Sequence, residues 1–376
     1  MKIAFCLYKY FPFGGLQRDF MKILSICKKK GHQIRVYTMI WDAEIPNNID
    51  IIIIPVKSHT NHGRNKEFYS QVKIDLKQDP TDIIVGFNKM PGLDIYYVAD
   101  ICYAEKVKSE KGFFYKLTKR YKQYIAYEKA VFDENSHTKL LTLTKNQVND
   151  FKKHYKTPDE RFYLLPPGIE YSKKYDQKIF DKKKIYRKKN AISENKILLL
   201  QVGSDFKRKG IDRTLKSISA LPEIIKNKTM LMAVGQDDPT PYQRLAKKLG
   251  IHKQVLFFQG RNDIPELMAS ADILIHPAYQ EAAGIVLVEA IVANLPVITT
   301  EICGYASYIK KANCGIVIDE PYRQENLNNA LTTSLTNKSL LNKWVKSARY
   351  FANTQDLYSL AEKAADIIMK HQNTLT

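Results

Sequence analysis

The segment Ile273-Leu-Ile-His-Pro-Ala-Tyr-Gln-Glu-Ala-Ala-Gly-Ile-Val-Leu-Val-Glu289 joins a short apolar run to a helical stretch that contains several small residues. This order is typical of a strand, a loop and a helix in an open α/β sheet. The helix would begin between Ala282 and Ile285, and the first backbone N–H groups of a helix bind anions, phosphate above all. Glu281 and Glu289 lie eight residues apart in the same segment. The segment therefore predicts a phosphate-binding turn with two carboxylates close to it.

A second strand-to-loop transition lies upstream, in Ile197-Leu-Leu-Leu-Gln-Val-Gly-Ser-Asp-Phe-Lys-Arg-Lys-Gly210. Its loop carries three consecutive cations, and a run of charge is usually a solvated turn. Loops at the carboxyl edge of a parallel sheet are, however, where the ligands of open α/β proteins bind. Arg208 and Lys209 would there neutralise the charge that builds on a departing diphosphate. The two loops together predict a clamp for a nucleotide diphosphate.

The composition indicates a folded protein with an anionic partner. The chain has 376 residues, 44% of them hydrophobic and 26% charged, which is enough for two domains. Its formal net charge of +20 favours nucleic acid, acidic lipid or a phosphorylated substrate, and charge alone does not choose among them. The five cysteines are scattered in no disulfide or metal-ligand spacing. No apolar run resembles a signal peptide or a membrane span, so we expect a cytoplasmic protein.

Alternating apolar runs and helical stretches predict the α/β class, with a doubly wound parallel sheet in each of two domains. The unit from Ile3 to Ile40 is a βαβ pattern, and Pro166-Pro167-Gly168 followed by the basic stretch 173–189 marks the boundary. We therefore expect an N-terminal domain over 1–168 and a C-terminal domain over 169–355. A helix at about 356–376 is expected to pack back on the first domain.

Two features of the first half admit a functional and a plain structural interpretation. Gly14-Gly15 lets the backbone approach a ligand, but the spacing is not the dinucleotide fingerprint, which disfavours nicotinamide chemistry. Gly-Gly could equally make a tight turn, with Asp19 favouring the helix dipole. His59, His62 and Arg64 lie in a segment predicted to be a polar loop, with no third metal ligand nearby and no Asp-x-Asp triplet in the chain. We expect them to bind an acceptor or to form a surface loop, and we expect no metal.

The segment 103–132 combines eight aromatic residues with eight Lys or Arg and three acids. Phe114, Leu117, Tyr121, Tyr124 and Ile125 follow helical spacing, which predicts an interfacial helix with an apolar face among cations. The same face could pack into the core, and aromatics between cations also suit single-stranded RNA. The residues expected to bind the membrane are Phe113, Phe114, Lys116, Lys119, Arg120 and Lys122.

These motifs resemble those of the retaining glycosyltransferases of family 4. The resemblance rests on the Glu-x7-Glu pair, the Arg-Lys pair after Val202-Gly203, the Gly-Gly loop and the two-domain layout. Four longer segments, 4–20, 57–65, 85–94 and 276–285, are similar to those of the members of the family that build the lipopolysaccharide core of enteric bacteria. The resemblance covers essentially the whole chain. It implies the GT-B fold, in which two Rossmann-like domains face a cleft.

The resemblance further implies that glucose is moved from UDP-glucose to an inner-core heptose of lipopolysaccharide, with retention and an α-1,3 linkage. The acceptor of such enzymes is phosphorylated and lipid-anchored. We therefore expect the protein to bind peripherally to the cytoplasmic face of the inner membrane, and we expect no nucleic-acid partner. No cofactor or metal is expected. The alternatives are a family 4 enzyme with another sugar donor and a non-catalytic basic protein that binds lipid or RNA. The oligomeric state stays open.

The site residues implied by the resemblance fall into two groups. Glu281 would bind the 3- and 4-hydroxyls of the sugar, and Glu289 would accept hydrogen bonds from the ribose. The residues expected to take part in catalysis are Asp19, Asp100, Arg208, Lys209 and Glu281. The residues expected to bind the donor are Gly14, Gly15, Gly203, Arg208, Lys209, Arg261, Glu281, Ala283, Gly284, Ile285 and Glu289.

Overall fold

The computed structural model describes residues 1–12, 14–46, 49–170, 183–190 and 192–371. The chain divides into two compact units. The first unit comprises Met1–Gly168 and Ser359–Thr376, and the second comprises Ile169–Tyr358. The second unit thus extends to Tyr358, whereas the C-terminal domain was expected to end at residue 355. Residues 173–182 of the basic stretch 173–189 lie outside the described residues.

The first unit is built on a parallel sheet. Its strands are β1 (Lys2–Cys6), β3 (Gln33–Thr38), β5 (Asp50–Ile53), β6 (Ile83–Gly86), β7 (Ile95–Val98), β8 (Lys139–Thr142) and β9 (Phe162–Leu164). They run in the order β5-β3-β1-β6-β7-β8-β9, and the short strands β2 (Lys9–Tyr10) and β4 (Ile40–Trp41) pair separately. Every residue of β7 is buried, as expected for a strand that helices cover on both faces.

The helices of the first unit are α1 (Gly15–Lys29), α2 (Asn61–Gln78), α3 (Tyr103–Glu110), α4 (Lys119–Phe132), α5 (Lys145–Tyr155) and the C-terminal α15 (Leu360–Met369). Local sequence explains where several of them begin. Thr144 and Gln147 form a capping box at α5, which satisfies two of the N–H groups that a helix leaves free. The helix α15 packs against α1, which attaches the end of the described chain to the first unit.

The second unit has the strand order of a dinucleotide-binding fold. Its strands are β10 (Ile197–Val202), β11 (Thr229–Val234), β12 (Val255–Phe258), β13 (Ile273–His276), β14 (Val297–Thr300) and β15 (Gly315–Ile318). They are parallel and run in the order β12-β11-β10-β13-β14-β15. The chain therefore leaves β10 to one side for β11 and β12, and returns on the other side for β13. Such a reversal is a topological switch point, where open α/β sheets bind ligands.

Helices cover the sheet of the second unit, and its core joins β10, β11 and β13 to the helices around them. The helices are α6 (Lys183–Lys189), α7 (Ile211–Ser219), α8 (Glu223–Lys226), α9 (Thr240–Lys248), α10 (Ile264–Ser270), α11 (Ile285–Val292), α12 (Ala306–Ala312), α13 (Gln324–Thr336) and α14 (Lys338–Thr354). The predicted doubly wound α/β class is confirmed in both units.

Candidate active site

The switch point of the second unit brings together the two loops that the sequence analysis singles out. β10 and β13 are neighbours, with Leu199 opposite Ile273 in the register. Arg208 and Lys209 follow the carboxyl end of β10, and Glu281 follows that of β13. Because the carboxyl ends of parallel strands meet at one edge of a sheet, the two loops lie side by side.

Glu281 is the centre of a compact charge cluster. Its carboxylate pairs with the Lys209 ammonium and lies 3.5 Å from a guanidinium nitrogen of Arg208. The side chains of Glu281 and Lys209 are only 11% and 12% exposed. Burial alone would raise the pKa of Glu281, but the His276 imidazole and the Lys209 ammonium lower it to about 2. Glu281 is therefore ionised at neutral pH.

His276 ends β13 directly beneath this cluster and is completely buried. Its Nε2 lies 3.6 Å from a carboxylate oxygen of Glu281. Burial lowers the pKa of His276, and the positive charge of Lys209 works in the same direction, against the carboxylate of Glu281. The imidazole is thus neutral at neutral pH, and it lies beneath Glu281 without adding a charge to the cluster.

Two glycines shape the loop after β10. Gly203 and Gly210 adopt φ angles of 136° and 73°, which side chains disfavour. A Cβ on Gly210 would lie 2.1 Å from the carbonyl oxygen of Pro277, so glycine is required where the two loops touch. The Gln201 amide donates to the carbonyl of Lys209 at 2.8 Å, which holds the cationic loop against the sheet.

The helix start predicted between Ala282 and Ile285 is present, and its binding of phosphate stays a prediction. Gly284 precedes the first residue of α11, Ile285, with a φ of 81°. Ala283 accepts a hydrogen bond from the Tyr305 N–H at 2.7 Å, which orients the turn. The Leu287 N–H donates to the carbonyl of Gly284 at 3.0 Å. The N–H groups at the very start of a helix have no carbonyl within the helix to bind, which suits an anion. Glu289 lies further along α11, where it is partly buried, and its role stays a prediction.

Arg261 is also in the second unit, in the loop after β12. Its guanidinium pairs with Asp263 through Nε at 2.7 Å and Nη2 at 2.5 Å, and Nη2 also donates to the Tyr186 hydroxyl at 3.2 Å. The guanidinium is therefore held by protein partners. The donor-binding role predicted for Arg261 stays a prediction.

Arg213 lies behind the site, and no motif in the sequence indicates a role for it. Its guanidinium lies between the rings of Tyr279 and Tyr322, 3.5 Å and 3.6 Å from their centroids. It donates to the carbonyls of Pro277 and Ala278 at 3.2 Å and 3.0 Å. Arg213 thereby fixes the loop that carries Glu281. The signal in the sequence is its position on the helix immediately after the cationic loop, four residues beyond Lys209.

The sequence likewise indicates no role for His276, although this residue lies in the segment 273–289 that carries Glu281. Its burial cannot be read from the sequence, because a lone histidine at the end of an apolar run is equally compatible with an exposed position. Asp205 accepts a hydrogen bond from Arg208 Nε at 2.9 Å. It is, after Arg213 and His276, a third residue of the site that no motif in the sequence indicates.

The remaining predicted donor and catalytic residues lie in the first unit. Gly14 precedes α1, Gly15 is its first residue, and Asp19 follows one turn later. Asp19 accepts a hydrogen bond from the Tyr97 hydroxyl at 2.8 Å, and burial raises its pKa. Asp100 is exposed after β7. The roles of these residues stay predictions.

The prediction of a polar loop through His59, His62 and Arg64 is wrong for two of the three. α2 begins at Asn61, because the Thr60 hydroxyl caps it by accepting from the backbone N–H of Gly63 at 3.2 Å. His62 and Arg64 therefore lie in the first turn of α2, while His59 is exposed ahead of it. Within the described ranges, no group of three or more His, Cys, Asp or Glu is placed to hold a metal ion.

The continuous helical face predicted for the segment 103–132 is also wrong. A 3-10 turn, Phe113–Leu117, ends at Thr118, whose hydroxyl caps α4. Phe113 and Phe114 are 74% and 81% exposed, whereas Tyr127 and Phe132 at the far end of α4 belong to the core. The segment thus has an exposed apolar front and a buried end, and membrane binding by its front stays a prediction.

Two doubly wound units, with a cationic loop and a buried glutamate at the switch point of the second, define a glycosyltransferase of the GT-B class. The chain belongs to the family described as glycosyl transferases group 1, whose model matches residues 182–351. It is therefore an enzyme that transfers a hexose. The alternative of a non-catalytic lipid- or RNA-binding protein is set aside.

The chain is 58% identical to the lipopolysaccharide glucosyltransferase WaaG of Escherichia coli (strain K12), over 98% of both chains. It superposes with a TM-score of 0.92 on a crystal structure of WaaG, a glycosyltransferase involved in lipopolysaccharide biosynthesis, covering 98% of this chain and 100% of that one at 58% identity. Anabaena Alr3699/HepE, solved with UDP-glucose, shares the fold with a TM-score of 0.74 at 16% identity, covering 99% of this chain and 100% of that one.

Proposed function

We propose that this protein transfers glucose from UDP-glucose to an inner-core heptose of lipopolysaccharide, with retention of configuration and an α-1,3 linkage. The observation that carries the proposal is the 58% identity, over 98% of both chains, to a lipopolysaccharide glucosyltransferase. The geometry at the switch point of the second unit supports a nucleoside diphosphate sugar as the donor. A diphosphate at the start of α11 would meet the side chains of Arg208 and Lys209, which Glu281 holds in place.

The charges of the cluster indicate how the reaction is promoted. The β-phosphate of UDP gains negative charge as the bond to the sugar breaks, and fixed cations that stabilise this charge lower the barrier. Glu281 has a pKa of about 2 and is too weak a base to remove a proton at neutral pH. We therefore assign it the sugar hydroxyls, where it positions the anomeric carbon. The departing diphosphate then takes the acceptor proton on the same face, with Asp19 and Asp100 positioning the acceptor or the sugar.

A donor panel with one acceptor tests the proposal. Core-truncated lipopolysaccharide is incubated with UDP-glucose, UDP-galactose or GDP-mannose, and release of the nucleoside diphosphate is followed. We expect turnover with UDP-glucose to exceed that with either other donor. A higher rate with UDP-galactose or GDP-mannose would assign the chain to another branch of the family.

We also propose that donor turnover needs no metal ion. Many nucleotide-sugar enzymes neutralise the diphosphate with a divalent ion, whereas here Arg208, Lys209 and the first N–H groups of α11 are available for this task. The rate of UDP release is expected to be the same with excess EDTA as with added Mg²⁺. Loss of turnover in EDTA, and its recovery with Mg²⁺ or Mn²⁺, would contradict this proposal.

A peripheral position on anionic membrane, at the cytoplasmic face of the inner membrane, completes the proposal. No helix in the described part of the chain is long and apolar enough to cross a bilayer. Phe113, Phe114 and Leu117 are exposed on the 3-10 turn, with exposed lysines before and after Thr118. Apolar side chains beside cations favour insertion at the headgroup level of acidic lipid.

Vesicle binding tests this surface. Replacing Lys116, Lys119 and Lys122 by glutamine should weaken binding to phosphatidylglycerol vesicles by about tenfold or more at low salt, since each basic residue contributes about 1 kcal/mol. The control is the variant of three exposed lysines on α2, Lys66, Lys73 and Lys77, which carries the same change of charge. Equal binding by the two variants would mean that net charge, and not this surface, holds the protein to lipid.

A further inference from the structure

Three loops at the carboxyl edge of the second sheet meet at one arginine. Arg213 lies in α7, and its guanidinium is stacked between the ring of Tyr279, which follows β13, and the ring of Tyr322, which follows β15. The guanidinium carbon lies 3.5 Å and 3.6 Å from the two ring centroids. These three side chains are named here the arginine stack. Because α7 follows the cationic loop after β10, the stack connects the loops that follow β10, β13 and β15.

The arginine stack holds the backbone of the loop between β13 and Glu281. The guanidinium donates to the carbonyls of Pro277 and Ala278 at 3.2 Å and 3.0 Å. The next N–H along the chain, that of Tyr279, donates to the carbonyl of Arg208 at 2.8 Å. The three residues 277–279 are therefore attached both to α7 and to the cationic loop, and Glu281 is the second residue beyond them.

Each ring of the stack is also connected to α7 by hydrogen bonds. The Tyr279 hydroxyl donates to the carboxylate of Asp212 at 2.9 Å. The Tyr322 hydroxyl donates to the side-chain oxygen of Gln324 at 2.9 Å, and the amide of Gln324 donates to the carbonyl of Arg213 at 3.0 Å. Stacking and directed hydrogen bonds together give the planar guanidinium one orientation. The loop after β15 thus contributes to the placement of the loop that carries the glutamate.

The stack is costly as a purely structural device. Arg213 is 8% exposed, and the contacts of its guanidinium are ring faces and backbone carbonyls. Among the residues that the structure describes, none supplies it with a carboxylate, and its Nε has no hydrogen-bond acceptor. A buried charge that is not paired loses solvation free energy, whereas methionine would fill the space between two rings without this loss. The planar set of donors is better explained by the exact placement of two carbonyls than by folding alone.

We propose that the arginine stack positions Glu281 for the transfer step, so that the rate depends on Arg213 and Tyr322. This inference rests on the proposed function, and it adds two positioning residues to the site. Lys209 and Arg208 hold the carboxylate of Glu281, whereas the stack holds the backbone from which that side chain extends. A shift of about 1 Å at a reacting carbon costs on the order of 100-fold in rate, so a looser stack lowers kcat. UDP affinity changes less, because the cations proposed to bind the diphosphate are not part of the stack.

The first test replaces each of two buried arginines by methionine. Arg213→Met keeps the length of the side chain and removes its donors, and we expect kcat to fall about tenfold or more with a smaller change in the Kd for UDP. Arg187→Met is the matched control. Arg187 is also buried and donates to the carbonyls of Ser270 and Ser193 at 3.0 Å and 3.3 Å, which precede β13 and β10 at the opposite edge of the sheet.

A merely structural role would affect the two methionine variants alike. Both should have a lower Tm than the wild type, since each loses buried hydrogen bonds. Rates are expressed per UDP-binding site, so that unfolded protein does not contribute, and on this scale the control should keep the wild-type kcat. An unchanged kcat in Arg213→Met, or an equal loss of kcat in both variants, would overturn the proposal.

Three further variants separate position from charge. Arg213→Lys keeps the charge without the planar fork, and its kcat should lie between those of the wild type and Arg213→Met. Tyr322→Leu removes one ring face and should lower kcat severalfold, whereas Tyr322→Phe keeps that face and should restore most of the rate. Wild-type kcat in Arg213→Lys would show that charge alone suffices, and wild-type kcat in Tyr322→Leu would show that the stack is not needed. Either result would overturn the proposal.

Amide hydrogen exchange tests the stack without any substrate. The Tyr279 N–H, which donates to the carbonyl of Arg208, reports on the opening of the loop. Its exchange should be about tenfold faster or more in Arg213→Met, and unchanged in Arg187→Met. If that result holds while the wild type glucosylates no acceptor, the stack stands and the proposed function fails. Unchanged exchange at Tyr279 in both Arg213→Met and Tyr322→Leu would overturn the proposal whatever the kinetics.

Discussion

Replacing Glu281 by alanine should lower glucosyl transfer about 100-fold or more. The carboxylate is held by Lys209 and Arg208, so a sugar bound to it is kept in one orientation. Misplacement of a reacting carbon by about 1 Å costs on the order of 100-fold in rate. Initial rates of UDP release, with saturating UDP-glucose and acceptor, measure the loss.

The alanine variant also leaves the Lys209 ammonium without its carboxylate, so a structural effect must be separated from a catalytic one. Glu281→Gln keeps the size and one acceptor oxygen of the side chain, and we expect it to fold and still to lose most of the rate. Glu301→Ala is the matched control, since Glu301 is a glutamate of the same unit whose side chain is 46% exposed and pairs with Lys310 at 2.8 Å. Activity of folded Glu281→Ala within tenfold of the wild type would remove Glu281 from the site.

Lys209→Ala is expected to lower kcat on the order of 100-fold, with a smaller change in the KM for UDP-glucose. A fixed charge that meets the departing diphosphate acts mainly in the transition state, where the negative charge is largest. Lys209 is suited to this because its ammonium is largely buried beside Glu281. Single-turnover rates with enzyme in excess isolate the chemical step.

Lys207→Ala provides the comparison for Lys209→Ala within the same loop. Lys207 has the same side chain but is exposed, so its loss removes an equal charge at the surface. We expect wild-type kcat for this variant. A raised donor KM with normal kcat in Lys209→Ala would show that the lysine only holds the ground state, and it would contradict the electrostatic role.

The charge cluster could be predicted in its parts but not in its contacts. The apolar runs at 197–202 and 273–276 indicate two strands, and the residues after each strand have the chemistry of a diphosphate site. That β10 and β13 are neighbours follows from the strand order, which no local pattern specifies. The pairing of Lys209 with Glu281, 72 residues apart, is therefore a tertiary fact that the structure adds.

The segment 103–132 shows where periodicity misleads. The helical spacing from Phe114 to Ile125 is real in the sequence, but Thr118 interrupts it by capping α4. A hydroxyl that caps a helix competes with helix continuation, and spacing alone does not weigh this competition. The ion pair of Lys89 with Glu128 is not predictable from the sequence either, because its two residues lie 39 positions apart and carry no shared motif.

The reaction product tests the central claim most directly. Purified protein, UDP-glucose and core-truncated lipopolysaccharide are incubated, and the product is examined by mass spectrometry and by NMR of the anomeric protons. The account predicts a single added hexose, identified as glucose in the α configuration on an inner-core heptose. A product with no added hexose, with a different sugar, or with the β configuration would contradict it.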